Sequence, residues 1–161
     1  MSTHRVAPSD LRNRLEEWYA SYAAIVDEKK ANAWVDLFTT QGLYAVGTQN
    51  NISSTGAWWY TDRGPVILKE RAAYTCGYHQ HNPTRTLLTV MNIRGQMPET
   101  DVIAVQAAFV LYVIDRTGPA RLHVVGRYAD RLTLADGQLR YLEHRVVIEG
   151  ETVPANMGVL L

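Results

Sequence analysis

The sequence predicts an α+β domain in which three helices precede a long, curved, mainly antiparallel sheet, and three observations carry that prediction. The first is the run from Val102 to Asp115, unbroken by any turn residue, where Ile103, Val105, Ala107, Phe109, Leu111 and Val113 share one face. Its other face, with Val102, Ala104, Gln106, Ala108, Val110, Tyr112 and Ile114, is also mostly apolar, so this strand needs cover on both sides. The second is the pair of turn signals Thr117-Gly118-Pro119 and Asp136-Gly137, which divide the following chain into strands over 121–134 and 139–149. The third is helical periodicity confined to the first half. Runs of helices followed by runs of strands make an α+β architecture.

The elements follow in order. Residues 1–8 read as a disordered start and 9–161 as a single domain. Ser9 or Asp10 caps a helix whose stripe is Leu11, Leu15, Trp18, Tyr22, Ile25 and Val26, ending at the charged run Asp27-Glu28-Lys29-Lys30. A shorter helix buries Trp34, Leu37 and Phe38, and 43–46 forms a short strand. The composition of 49–56, Gln-Asn-Asn-Ile-Ser-Ser-Thr-Gly, reads as a loop, and Trp58-Trp59-Tyr60 as an aromatic cluster, extended or in a turn. Asp62 and Pro65 open a third helix through Val66, Ile67, Leu68 and Tyr74. Residues 78–83 connect it to a strand over 84–94, and Met97-Pro98-Glu99-Thr100 turns into the doubly apolar strand. In strand 121–134, Leu122, Val124, Tyr128, Leu132 and Leu134 face one way, and Arg121, His123, Arg127 and Arg131 the other. In the last strand Leu142, Val146 and Ile148 alternate with Tyr141, Glu143 and Arg145. Keeping Leu132 and Leu142 on one face calls for a bulged turn with an odd number of loop residues and Gly137 at positive φ.

Composition narrows the function classes. Sixteen basic residues balance sixteen acidic ones, leaving no electrostatic footprint for nucleic acid or an anionic membrane. The one cysteine, Cys76, excludes an internal disulfide and fits a reducing compartment. The start of the chain has no secretory apolar region and no run reaches membrane-spanning length, so the expectation is a soluble cytoplasmic protein.

The chemistry-bearing residues are few. His79 and His81 are two apart, and in an extended segment both rings would reach one ion, with a third ligand from Cys76, His123, Glu143 or His144. No downstream carboxylate has the spacing of a known H-x-H barrel motif, and the plain reading is two loop histidines with ordinary hydrogen bonds. A Rieske cluster needs two cysteines and two histidines. Neither H-x-D nor H-x-E, of the kind a facial-triad iron site shows, occurs, nor do GxGxxG, GxxxxGK[ST] or GxSxG. No cofactor or metal site is expected in this chain. A pocket enzyme, a dehydratase or isomerase, is the alternative: Asp27, Tyr44 and a proton shuttle at His79 or His144 would supply it. Against it, Asp27 lies in a charged helix end, and His144 shares a face with Val146 and Ile148, the setting of a satisfied core histidine. Trp58 and Trp59 read as interface packing before a ligand box.

A sheet curling around the first helix makes a cone with an interior pocket, and the order of elements resembles the cone-shaped fold shared by nuclear transport factor 2 (NTF2), ketosteroid isomerase and scytalone dehydratase. Asp27 follows the first helix much as the pocket Asp does in scytalone dehydratases. Four segments narrow the resemblance. AAIVDEKKANAWVDLF with GLYAVGTQNN is similar to a helix-Asp-helix-Trp-Leu-Phe opening, then a strand and an Asn. WYTDRGPVILKERA matches a Tyr-x-Asp segment and Leu-x-x-Arg helix at Tyr60, Asp62, Leu68 and Arg71. NPTRTLLTVMNIRG matches a Pro-Ser-Arg-Thr strand at Pro83, Arg85, Thr86 and Asn92. GRYADRLTLADGQLRYLEHRVVIEG resembles a closing hairpin with Arg-Val-Val. These resemble the small (β) subunit of aromatic-ring-hydroxylating dioxygenases, most of all those of terephthalate- and salicylate-type hydroxylases. Leu88 departs from the family's usual His, and Gly64-Pro65 from its usual helix start.

The resemblance implies a non-catalytic structural β subunit of a Rieske non-heme iron oxygenase acting on an aromatic carboxylate, in aromatic catabolism. The Rieske [2Fe–2S] cluster and mononuclear Fe(II) would belong to a large α subunit. The assembly would be an α3β3 hexamer with β–β contacts, fed by an electron-transfer reductase drawing on NAD(P)H. No catalytic residue of this chain is implied.

Overall fold

Helix α1 (Pro8–Asp27) lies in the concave face of a six-stranded sheet, and the computed structural model that shows this describes residues 8–81, 84–96, 101–150 and 159–161. The predicted disorder of the first seven residues, the 97–100 turn, Pro83 and the segment 151–158 fall outside the described residues. After α1 come α2 (Ala31–Val35), β1 (Phe38–Thr48), α3 (Gln49–Thr55), β2 (Tyr60–Arg63), α4 (Pro65–His81), β3 (Arg85–Gln96), β4 (Val102–Ile114), β5 (Ala120–Ala135) and β6 (Gln138–Ile148). The sheet order is β2-β1-β6-β5-β4-β3, antiparallel throughout except where β6 returns to pair with β1 in parallel. The predicted α+β architecture therefore holds. The outer strands, β2 and β3, are consecutive in the chain and are joined by α4.

The meander behaves as its alternation dictates. Ile103, Val105, Ala107, Phe109 and Leu111 are all buried, while Ala104, Gln106 and Tyr112 on the other face are exposed. Two details of register differ from expectation. Asp136 (φ 51°) and Gly137 (φ 77°) both adopt positive φ and form a tight two-residue hairpin turn, with Ala135 opposite Gln138. The bulge sits further along, where Arg131 pairs with Glu143 but Leu132 with Tyr141, so Leu142 is the extra residue. Side-chain parity flips there, and Tyr141, not Leu142, points inward on the near side of the bulge. A second irregularity pairs Leu111 with Val124 but Tyr112 with Leu122, which turns Leu122 out to the surface.

In the first half the predicted loop 49–56 is helix α3. Thr48 caps it by accepting from Asn51 N at 3.2 Å, and Gly56 closes it in the left-handed region at φ 70°. Phe38 starts β1 instead of closing a helix. The third predicted helix, α4, runs on to His81, so 78–81 is helical rather than a connector. Its buried stripe is Leu68, Ala72, Thr75 and His79, whereas Val66, Ile67 and Tyr74 are exposed.

Candidate functional site

Where α1 crosses the sheet, the interior is unusually polar for a core. Tyr19 and Tyr22 project from α1, Tyr44 from β1, Asp130 from β5 and His144 from β6, and none is more than 2% exposed. Asp130 Oδ2 accepts from the Tyr19 hydroxyl at 2.6 Å, while Oδ1 lies 2.9 Å from His144 Nδ1 and accepts from Arg145 N at 3.0 Å. Three donors converge on this buried carboxylate, which suits its acceptor-only ionised form. Nδ1 of His144 therefore carries a hydrogen, and Nε2 faces the Tyr22 hydroxyl and the Leu161 carbonyl oxygen, each at 2.9 Å. Tyr22 itself donates to that oxygen at 2.5 Å, and Leu161 N donates to the Tyr44 hydroxyl at 3.2 Å.

Aromatic rings wall the cluster. Tyr141 and Tyr44 stack on the imidazole of His144 at 4.5 and 5.6 Å, and Tyr22 meets it edge-on at 5.0 Å. Burial raises the hydroxyl pKa of Tyr19, Tyr22, Tyr44, Tyr128 and Tyr141 well above the usual tyrosine value. These side chains are neutral hydroxyls over the physiological range, able to donate and accept.

The structure sorts the four residues of the pocket-enzyme alternative into two groups. Tyr44 and His144 meet in this cluster. Asp27 does not join them: at the end of α1 both its oxygens accept from Leu88 N, at 3.0 and 3.2 Å, where the edge strand β3 has an unpaired amide. Its pKa is raised, chiefly by burial and against the lowering pull of that hydrogen bond. His79, buried on α4, sits 3.4 Å from Thr84 Oγ1 and lines a cavity of about 10 Å³ with Val26, Cys76, Thr86 and Leu160, room for one water. The metal pairing of His79 with His81 fails on geometry. On a helix, residues two apart point to opposite sides, and His81 is exposed with Nδ1 3.0 Å from Gly77 O. Among the described residues no group of three His, Cys, Asp or Glu side chains is placed to hold a metal ion.

Asp130 and Tyr19 are the members that sequence reasoning missed. Asp130 has the parity of Tyr128 and Leu132, and Tyr19 lies one helical turn beyond Leu15, so each lay on a face already recognised as buried. The motif residues of the resemblance also gather. Arg71 Nε donates to Asp62 Oδ2 at 2.6 Å and its guanidinium lies 4.0 Å from the Tyr60 ring centre, tying α4 to β2.

A cone of this kind, with polar groups from helix and sheet meeting inside, defines the class as an NTF2-like α+β domain. The chain belongs to the SnoaL-like domain family, whose model matches residues 9–145. Solved structures share the fold at low identity. A provisionally assigned β subunit of an aromatic-ring-hydroxylating dioxygenase from Novosphingobium aromaticivorans superposes with a TM-score of 0.78 at 19% identity, covering 91% of this chain and 94% of its own. The β subunit of benzoate 1,2-dioxygenase from Burkholderia mallei gives 0.70 at 15% identity, over 92% and 93%. A provisionally assigned scytalone dehydratase from N. aromaticivorans gives 0.68 at 14%, over 90% and 91%. No match is found among curated proteins. Among the described residues no helix is long and apolar enough to cross a membrane.

Proposed function

We propose that this chain is a non-catalytic β subunit of a ring-hydroxylating oxygenase acting on an aromatic carboxylate. The observation that carries the reading is the outer face of the sheet. Leu87, Tyr112 and Leu122 lie side by side across β3, β4 and β5 and are 51%, 38% and 59% exposed, with the half-buried Val110 one step along β4 on the same face. A row of large apolar side chains on three adjacent strands calls for a partner surface. The interior supports the same reading: Tyr19, Tyr22, Tyr44, Asp130 and His144 spend their hydrogen bonds on one another, on Arg145 N and on the Leu161 backbone. The likeness to two oxygenase β subunits supports the choice of partner, a larger α subunit in an α3β3 assembly with β–β contacts. The Rieske cluster and mononuclear Fe(II) would reside in that subunit, since the donor set here, with one cysteine and diverging His79 and His81, does not fit either centre.

Co-expression with the α subunit tests this. Sedimentation should show a hexamer, and Tyr112→Asp should dissolve it while leaving the far-ultraviolet circular dichroism unchanged. A chain that stays monomeric beside the α subunit at micromolar concentration overturns the proposal.

A second reading, a small-molecule dehydratase or isomerase, is favoured by the Asp130–His144 pair, which directs Nε2 into the cone toward Tyr22 and a carbonyl oxygen, where it stands as a donor in the position of a general acid. The two separate cleanly. In the subunit reading His144→Ala lowers stability but leaves turnover per assembled, iron-loaded complex within about tenfold; in the pocket-enzyme reading turnover by the chain alone is abolished.

A further inference from the structure

The outer face of the sheet changes character along β4. Tyr112 and Val110 are apolar, but at Ala108, Gln106 and Ala104 the side chains shorten and arginines rise around them. Arg127 and Arg131 of β5 stand opposite Ala108 and Ala104, and Arg94 of β3 opposite Gln106. Arg145 of β6 shares the face by alternation with the inward His144 and Val146. Residues directly opposite in a sheet point to the same side, so the four guanidinium groups border one patch. Glu149 takes Arg127 at 2.7 Å, and Glu143 is shared by Arg131 and Arg145 at 3.1 and 2.7 Å. Among the described residues no carboxylate pairs with Arg94. Arg94, Arg127, Arg131 and Arg145 against Glu143 and Glu149 leave two positive charges in surplus, in a chain with sixteen basic and sixteen acidic residues. Each guanidinium carries five N–H donors in a fixed fork, and the side chains of Arg127 and Arg131 are 71% and 52% exposed, so donors remain for a partner.

We infer that this face is a polarised docking surface, on which the α subunit that covers Leu87, Tyr112 and Leu122 also lays an acidic segment, rich in Asp and Glu, over Arg94, Arg127, Arg131 and Arg145. This rests on the subunit reading above and adds the partner's chemistry. Three observations choose the occupant. Tyr112 and Ala104 lie on one face of one strand, about 27 Å apart at the usual rise per residue, so the basic patch continues the apolar row without a break. A second copy docked patch to patch would set surplus positive charge against itself, which like-charge repulsion opposes. Glu143 and Glu149 stand among the arginines and would meet a phosphate backbone with like charge, whereas a protein segment can place its carboxylates between them. The arginine fork matches planar carboxylates, and the short floor side chains Ala104, Ala108 and Ala129 let a partner backbone come close. With apolar contact at one end and charge at the other, the partner seats in one orientation. The apolar row supplies buried area, and the arginines supply register and encounter rate.

The test uses the full chain with its α subunit. The dissociation constant of the complex should rise at least tenfold between about 50 and 500 mM sodium chloride, because exposed charges are screened over that range. Arg94→Glu should weaken the complex at least tenfold, mostly through slower association, and leave the circular dichroism and thermal midpoint unchanged. Arg94→Lys supplies an amine at the same place, and carbodiimide coupling should join it to an Asp or Glu of the α subunit, located by mass spectrometry. A complex that forms and is broken by Tyr112→Asp, yet is indifferent to salt and to Arg94→Glu, overturns this inference and leaves the subunit reading standing. Failure of the parent chain to bind the α subunit at either salt concentration removes that reading and the inference together. Duplex DNA bound, or a homodimer formed, at physiological salt and lost in Arg94→Glu assigns the arginines to another partner and overturns the inference as well.

Discussion

Asp130→Ala removes the acceptor on which the interior of the cone converges, and its cost can be worked from the contacts. Three donors lose their partner: the Tyr19 hydroxyl, His144 Nδ1 and the Arg145 amide. The first two belong to side chains with no access to solvent. A buried donor left unpaired costs about 1–3 kcal/mol, so the substitution is predicted to destabilise by roughly 3–6 kcal/mol, several times the usual point mutation. With a urea slope of about 2 kcal/mol per molar, the midpoint should fall by roughly 1.5–3 M. Asp130→Asn is the control. It keeps the shape and leaves an oxygen for His144 and Arg145, while its amide turns the Tyr19 hydroxyl from donor to acceptor, so the loss should be under about 2 kcal/mol. Equilibrium urea unfolding followed by tryptophan fluorescence measures both. An Asp130→Ala midpoint within about 0.5 M of the parent, or equal losses for Ala and Asn, refutes the claim that this carboxylate organises the core.

Further predictions come from other parts of the fold. A Cβ at Gly126 on β5 would sit 2.6 Å from the Phe109 ring and 2.5 Å from the Val147 carbonyl oxygen, so Gly126→Ala should cost about 1–3 kcal/mol or more in thermal or urea unfolding. Asp27→Ala leaves the Leu88 amide unpaired and should cost about 1–2 kcal/mol near neutral pH, whereas Asp27→Asn retains the acceptor and should change stability by less than about 0.5 kcal/mol. Because the Asp27 pKa is raised on folding, its ionisation opposes stability as pH climbs through the folded value, so Asp27→Asn should gain on the parent between acid and neutral pH. The buried tyrosines work in the same direction at the alkaline end. Their folded pKa values exceed the unfolded one, so the stability they contribute is complete below about pH 10 and lost above it. Phenolate absorbance from Tyr19, Tyr22, Tyr44, Tyr128 and Tyr141 should appear only together with alkaline unfolding.

Much of the fold was legible because strand alternation and helical periodicity are local signals. Val102–Ile114 announced itself as a strand through its inward set, and Leu11, Leu15, Tyr22 and Val26 of the α1 stripe are all buried. Parity arguments failed where the backbone slips. A single extra residue at Leu142 exchanges the faces of β6, and the slip at Tyr112/Leu122 sends Leu122 outward. Nothing in composition marks either bulge. The α3 helix was hidden for a different reason: Asn and Ser favour turns on average, and only the cap from Thr48 and the left-handed Gly56 make those seven residues helical. The parallel pairing of β1 with β6 joins residues about a hundred positions apart and has no local signature.

The candidate site shows how a correct face can conceal its chemistry. Parity places His144 with Val146 and Ile148 and Asp130 with Tyr128 and Leu132, so both residues belong to inward sets that the sequence marks as core. What periodicity cannot supply is that β5 and β6 pair in a register that sets the two side chains 2.9 Å apart, or that α1 lays Tyr19 and Tyr22 against them. A charged residue on an apolar face is costly unless it is paired, so an Asp with core parity predicts a buried partner even before that partner is known. The same logic separates Asp27 from Asp130. Asp27 ends a helix where its carboxylate reaches an edge-strand amide, a role one local backbone donor can fill. Asp130 lies mid-strand and must draw its donors from other elements. That need, met by Tyr19, His144 and Arg145, is what gathers polar side chains in the cone and leaves Nε2 of His144 aimed at a carbonyl.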